Sequence, residues 1–86
     1  MEFAVLDPQT NRKLASVYLN GHVIQAGGPL GQAGAMRSFT LLEGSLRDQW
    51  AYHRPLILRK EDGREAAIRI AALPVEEGEV GFVEFL

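Results

Sequence analysis

The chain has 86 residues, 47% of them hydrophobic, a formal net charge of −2 and no cysteine. These numbers describe one domain near the lower size limit for folding without metal or disulfide, and they exclude disulfides and thiolate metal sites. The charge leaves no basic footprint for nucleic acid, and no apolar run approaches the ~20 residues of a membrane-spanning helix.

The first element is a strand, "EFAVL". The amino-terminal stretch around it has no basic lead and no apolar run suited to a signal peptide, so a soluble cytoplasmic protein is expected. "KLASVYLNGHVIQA" follows and reads as a hairpin turned at Asn20-Gly21, since both residues tolerate the positive φ of a type I′ turn. A two-residue loop would set Leu19 against His22 and Val17 against Ile24. Ala15, Val17 and Leu19 would then share the core face with Ile24 and Ala26, and Tyr18 would point the other way.

"QAGGPLGQAG" comes next, with four of the nine glycines. A phosphate-binding P-loop needs Lys and Ser or Thr after its last glycine, but Gly34 is followed by Ala35 and Met36. The spacing of Gly28, Gly31 and Gly34 does not fit a dinucleotide fingerprint either. A mobile loop joining two strands is the expectation, with Gly28 and Gly31 as candidate contact points for a partner.

"AMRSFTLL" is the next strand. "SLRDQWAYHRP" is expected to hold a short helix, with Ser45 as its cap, Leu46 and Trp50 on one face, and Pro55 ending it. A strand over residues 45–53 is the alternative. "PLILRKEDGREAAIRIAAL" gives a second hairpin at Asp62-Gly63, pairing Glu61 with Arg64, Lys60 with Glu65 and Ile57 with Ile68. The last strand is "EVGFVEFL", which runs to Leu86. Five to seven short strands and one short helix imply a mainly β fold. The architecture expected is a small, partly open antiparallel barrel or a sandwich, with the helix plugging one end.

Charge is distributed unevenly. From Gly44 to Ile70 six bases oppose four acids, whereas Glu76, Glu77, Glu79 and Glu84 stand beyond Ala71 with no base. Tyr52, His53 and Arg54 gather residue types that dominate binding hot spots, with Trp50 beside them as a core residue. His22 and His53 are the only histidines, and with Asp48 they match no zinc spacing. No cofactor and no catalysis are expected.

The function expected is a non-catalytic protein–protein interaction module: an adaptor, subunit or inhibitor masking a partner's surface. Its contact residues are Tyr52, His53, Arg54, Gly28, Gly31, Glu76, Glu77 and Glu79, and the acids suit a basic partner. Apolar content and open strand edges point to a homodimer. The alternative from another class is a small-ligand or enzymatic domain, its site beneath the glycine-rich loop at residues 27–34.

Overall fold

A computed structural model describes residues 2–20, 29–73 and 75–86. The elements are β1 (Glu2–Leu6), β2 (Lys13–Leu19), β3 (Met36–Gly44), α1 (Arg47–Ala51), β4 (Leu56–Lys60), β5 (Glu65–Ala72) and β6 (Val80–Phe85). All six strands pair antiparallel and close into a barrel in the order β1-β2-β3-β6-β5-β4. The small antiparallel barrel with one short helix is thus the observed fold. It is closed rather than partly open, because β1–β4 and β3–β6 ladders join the two three-stranded meanders.

Alternation explains the interior. On β6 Gly81, Val83 and Phe85 are buried, while Val80 and Phe82 are exposed. A barrel of so few strands is narrow enough for side chains to fill it. Phe3, Phe39 and Phe85 are the largest side chains in it, with Leu19, Leu58 and Ile70 packed among them. Ala15, Val17 and Leu19 face this core as expected. Their strand, however, pairs with β1 on one edge and β3 on the other, Val17 lying opposite Phe3 and Leu41. Both edges of β2 are therefore taken, and Asn20 continues the β3 ladder by donating its N–H to the Ser38 carbonyl at 3.0 Å. The expected hairpin partners at residues 22–26 lie outside the described residues.

The second hairpin forms where expected but one residue out of register. Arg59 lies opposite Glu65, and Leu56, not Ile57, lies opposite Ile68. The loop has three residues instead of two: Lys60 donates to the Arg64 carbonyl and accepts from Gly63 N–H at 2.9 Å. Gly63, at φ 93°, takes the left-handed position that closes such a loop. The slip matters because it brings Leu56 and Leu58 inward against Ile68 and Ala66. The turn charges then pair locally: Asp62 accepts from Arg64 Nε at 2.8 Å and lies 3.4 Å from Lys60 Nζ, and Arg59 pairs with Glu65.

The registers place the connections at two ends of the barrel. One end carries the β1–β2 turn, the β3–β4 connection with α1, and the β5–β6 turn. The other carries the β2–β3 connection and the β4–β5 turn. Each end is stoppered by a leucine. Leu46, just before α1, is fully buried, and Leu30, from the glycine-rich connection, is 2% exposed. Three bulges (at Leu14, Leu42 and Ala71) cluster toward the α1 end, where they bend β2, β3 and β5. No helix among the described residues is long and apolar enough to cross a membrane.

Candidate interaction site at the helix end

The segment at residues 45–53 is helical, but for a single turn. Ser45 does not cap it: the N-cap position is Leu46, and Ser45 Oγ only accepts the Arg47 N–H at 3.4 Å, two residues on. Leu46 holds the helix instead. Its side chain enters the core, its N–H donates to the Val75 carbonyl at 3.1 Å, and its own carbonyl accepts from Trp50 N–H at 2.9 Å. Trp50 packs against the core without joining it and stays partly buried. The expectation of Trp50 as the core residue is corrected on this point, because the shared face four residues long ends in Leu46.

The carboxy end of α1 is a Schellman motif. His53 N–H donates to the Trp50 carbonyl at 3.2 Å and Arg54 N–H to the Gln49 carbonyl at 3.0 Å. His53 takes the left-handed conformation at φ 51° that the motif demands. This reversal turns the chain outward just as Pro55 bars further helix. Tyr52 is left 70% exposed. The Arg54 guanidinium lies over its ring, 5.8 Å from the centroid, a cation–π contact that holds both side chains at the tip. Among the described residues Arg54 forms no salt bridge.

Beside this tip is a cleft of about 330 Å³, bounded by Asp7 and Pro8 of the β1–β2 turn, by Gln49 and Arg54, and by Leu14 and Leu56. Asp7 is itself part of the turn, accepting Gln9 N–H at 2.8 Å through Oδ1.

The acidic residues of the β5–β6 turn share this end. Glu76 pairs with Arg47 at 2.6 Å, Glu77 Oε1 accepts Gly44 N–H at 3.2 Å, and Glu79 Oε2 accepts Glu76 N–H at 3.2 Å. These carboxylates hold the turn and clip it to α1. Arg69 likewise pairs with Glu84 at 3.0 Å, so the basic middle and acidic carboxy-terminal segments meet through two ion pairs.

Not every expected contact point is here. Gly31 sits at the opposite barrel end, against the Phe85 ring, where a Cβ would lie 2.6 Å from three ring carbons. Gly34 N–H donates to the Phe85 carbonyl at 2.7 Å, and Phe85 N–H to the Ala35 carbonyl at 2.9 Å. This part of the glycine-rich connection closes the barrel. Gly28 lies outside the described residues.

The expected site residues thus divide between two ends: Tyr52, His53, Arg54, Glu76, Glu77 and Glu79 at one, Gly31 at the other. Sequence reasoning missed the cleft, because Asp7, Leu14 and Leu56 become neighbours of Arg54 only on closure. Among the described residues no group of three His, Asp or Glu side chains is arranged to hold a metal ion. The architecture is that of a small closed antiparallel barrel with an exposed aromatic–arginine tip. No family model, curated protein or solved structure matches the chain.

Proposed function

We propose that the protein is a non-catalytic protein-binding module, an adaptor, subunit or inhibitor that covers part of a partner's surface with its α1 end. The observation that carries this reading is the Tyr52–Arg54 pair, solvent-facing and held by the Schellman turn at His53. A tyrosine and an arginine fixed before binding lose little side-chain entropy when a partner covers them, which is the economy of a hot spot. Glu76, Glu77 and Glu79 form an acidic flank that suits a basic partner surface. The pair is tested by capture from the native host with the wild type and a Tyr52→Ala/Arg54→Ala variant. The variant should keep its stability to within about 0.5 kcal/mol, since both side chains are exposed. It should bind the captured partner more weakly by about 2 kcal/mol or more. Equal affinity in a folded variant refutes the assignment.

The cleft favours one second reading. Its volume is at the lower end of small-ligand sites, and its lining divides evenly between apolar Pro8, Leu14, Pro55 and Leu56 and polar Asp7, Gln9, Gln49 and Arg54. A small ligand would then lie between Asp7, Gln49 and Arg54, not beneath the glycine-rich loop. A thermal-shift screen against nucleotides, phosphates and carboxylates separates this reading from the first: saturable stabilisation that Arg54→Ala abolishes supports it.

A further inference from the structure

Asp7 and Arg54 are the two charged residues that line the cleft at the α1 end, and they carry opposite signs. Among the described residues neither forms a salt bridge, with the other or with any third group. Each is held by local contacts instead. Asp7 Oδ1 accepts Gln9 N–H at 2.8 Å, and its main-chain carbonyl accepts Asn11 N–H at 2.8 Å. Asn11 Oδ1 in turn accepts from Arg59 of β4 at 2.9 Å, which ties this turn to the barrel. Arg54 is brought back onto α1 by its N–H bond to the Gln49 carbonyl, and its guanidinium lies over the Tyr52 ring. Stacking occupies the face of a guanidinium and leaves the N–H groups along its edge available. Among the described residues those N–H groups, Asp7 Oδ2 and the side-chain amides of Gln9 and Gln49 have no hydrogen-bond partner.

The cleft thus holds one fixed anion and one fixed cation apart, with Leu14 and Leu56 supplying apolar surface beside them. Neighbouring charges along the chain do not tip this balance. Lys13 and Arg47 are paired with carboxylates, and Arg12 and Asp48 are one of each sign. A purely anionic ligand would meet the Asp7 carboxylate, and a purely cationic one the Arg54 guanidinium. A ligand carrying both charges makes a charge-assisted bond at each. The volume of about 330 Å³ restricts it to a small molecule. We propose that the cleft binds a small zwitterion, an α-amino acid with an apolar side chain. Its carboxylate lies on Arg54, its ammonium on Asp7 Oδ2 and its side chain against Leu14 and Leu56. The proposal rests on the small-ligand reading of the cleft and gives that ligand its class.

Leucine is the probe, beside N-acetyl-leucine, which lacks the ammonium, and leucinamide, which lacks the carboxylate. Amide shifts are followed as each is added to about 20 mM, a range that covers weak binding by so small a ligand. Leucine should give saturable shifts at Asp7, Leu14, Gln49 and Arg54. Each analogue should bind roughly tenfold more weakly or worse, because one charge-assisted contact is lost. Glycine should bind more weakly by about the same factor, having no apolar group to set against the leucines. Asp7→Asn keeps the Oδ1 acceptor of the turn but should erase the preference for leucine over N-acetyl-leucine. Arg54→Gln should erase the preference over leucinamide. Circular dichroism establishes that each variant is folded. Equal affinity for leucine and N-acetyl-leucine, or an undiminished preference in folded Asp7→Asn, overturns the zwitterion while leaving the cleft a small-ligand site. Absence of shifts with leucine overturns it too, and the small-ligand reading then stands or falls on the separate screen of nucleotides, phosphates and carboxylates.

Discussion

Single backbone positions explain much of how this chain turns. His53 pays for the Schellman geometry by adopting φ 51° with a side chain attached. His53→Gly should therefore raise stability by about 0.5–1 kcal/mol, measured by urea unfolding, as the left-handed strain is relieved. Gly31 is constrained by space instead, with the Phe85 ring occupying the position of a Cβ. Gly31→Ala should cost about 1–3 kcal/mol, since the ring fills the barrel end and must shift. Asp62 makes stability depend on acid. The Arg64 backbone N–H holds its carboxyl below the ordinary 3.8; desolvation opposes it as the next-largest effect, and the Arg64 side chain and the Lys60 charge add to the lowering. A carboxyl depressed on folding contributes stability above its unfolded pKa and loses it as pH falls through the folded value. Asp62→Asn should thus be less stable than the wild type near pH 7, and the difference should shrink on acidification below about pH 4. A constant difference across that range, in melts at stepped pH, refutes the linkage.

At the scale of elements, α1 is too short to be stable by its own hydrogen bonds. It exists because Leu46 anchors one side, the Arg47–Glu76 pair clips it to the β5–β6 turn, and the Schellman bonds close its end. Leu46→Ala should accordingly cost about 3 kcal/mol. Trp50→Ala should cost less, although tryptophan is the larger side chain, because only part of it is removed from water. Denaturant melts of the two variants check the order; a reversed order would make Trp50 the anchor. The β4–β5 hairpin shows the same balance between local and distant demands. Asp62-Gly63 signals a turn, but burial of Leu56 and Leu58 selects the three-residue loop over the two-residue one.

For the whole molecule, closure is the decisive property. With the two meanders zipped along β1–β4 and β3–β6, no strand can leave without breaking ladders on both sides. Unfolding should therefore be a single cooperative transition. Trp50 fluorescence, which reports the α1 end, and far-UV circular dichroism, which reports the strands, should share one denaturation midpoint. An earlier Trp50 midpoint would mean that the α1 end undocks from an intact barrel. Closure also separates the surfaces. It gathers the tip, the cleft and the acidic turn at one end and seals the other with Leu30 and Phe85.

The strand alternation, the apolar inward face of β2, the existence of α1 and the turn at Asp62-Gly63 were all legible in the sequence. Each rests on interactions a few residues long: the two-residue period of a pleat, or the tolerance of one glycine for positive φ. Pairing partners were not legible. A strand such as "KLASVYL" presents the same hydrogen-bonding edges to any neighbour, so local pattern proposed the segment after Gly21, whereas the folded barrel places β1 and β3 there. The exposure of Val80 and Phe82 was hidden for a related reason. "EVGFVEFL" is apolar on both faces, and only closure decides that Val83 and Phe85 turn inward while Val80 and Phe82 remain outside. Tyr52 and Arg54 could be picked out by type, but their stacking, and the cleft that Asp7 and Leu56 make with Arg54, required contacts across the chain. Such contacts depend on the free energy of the whole closed barrel, which no short window of residues carries.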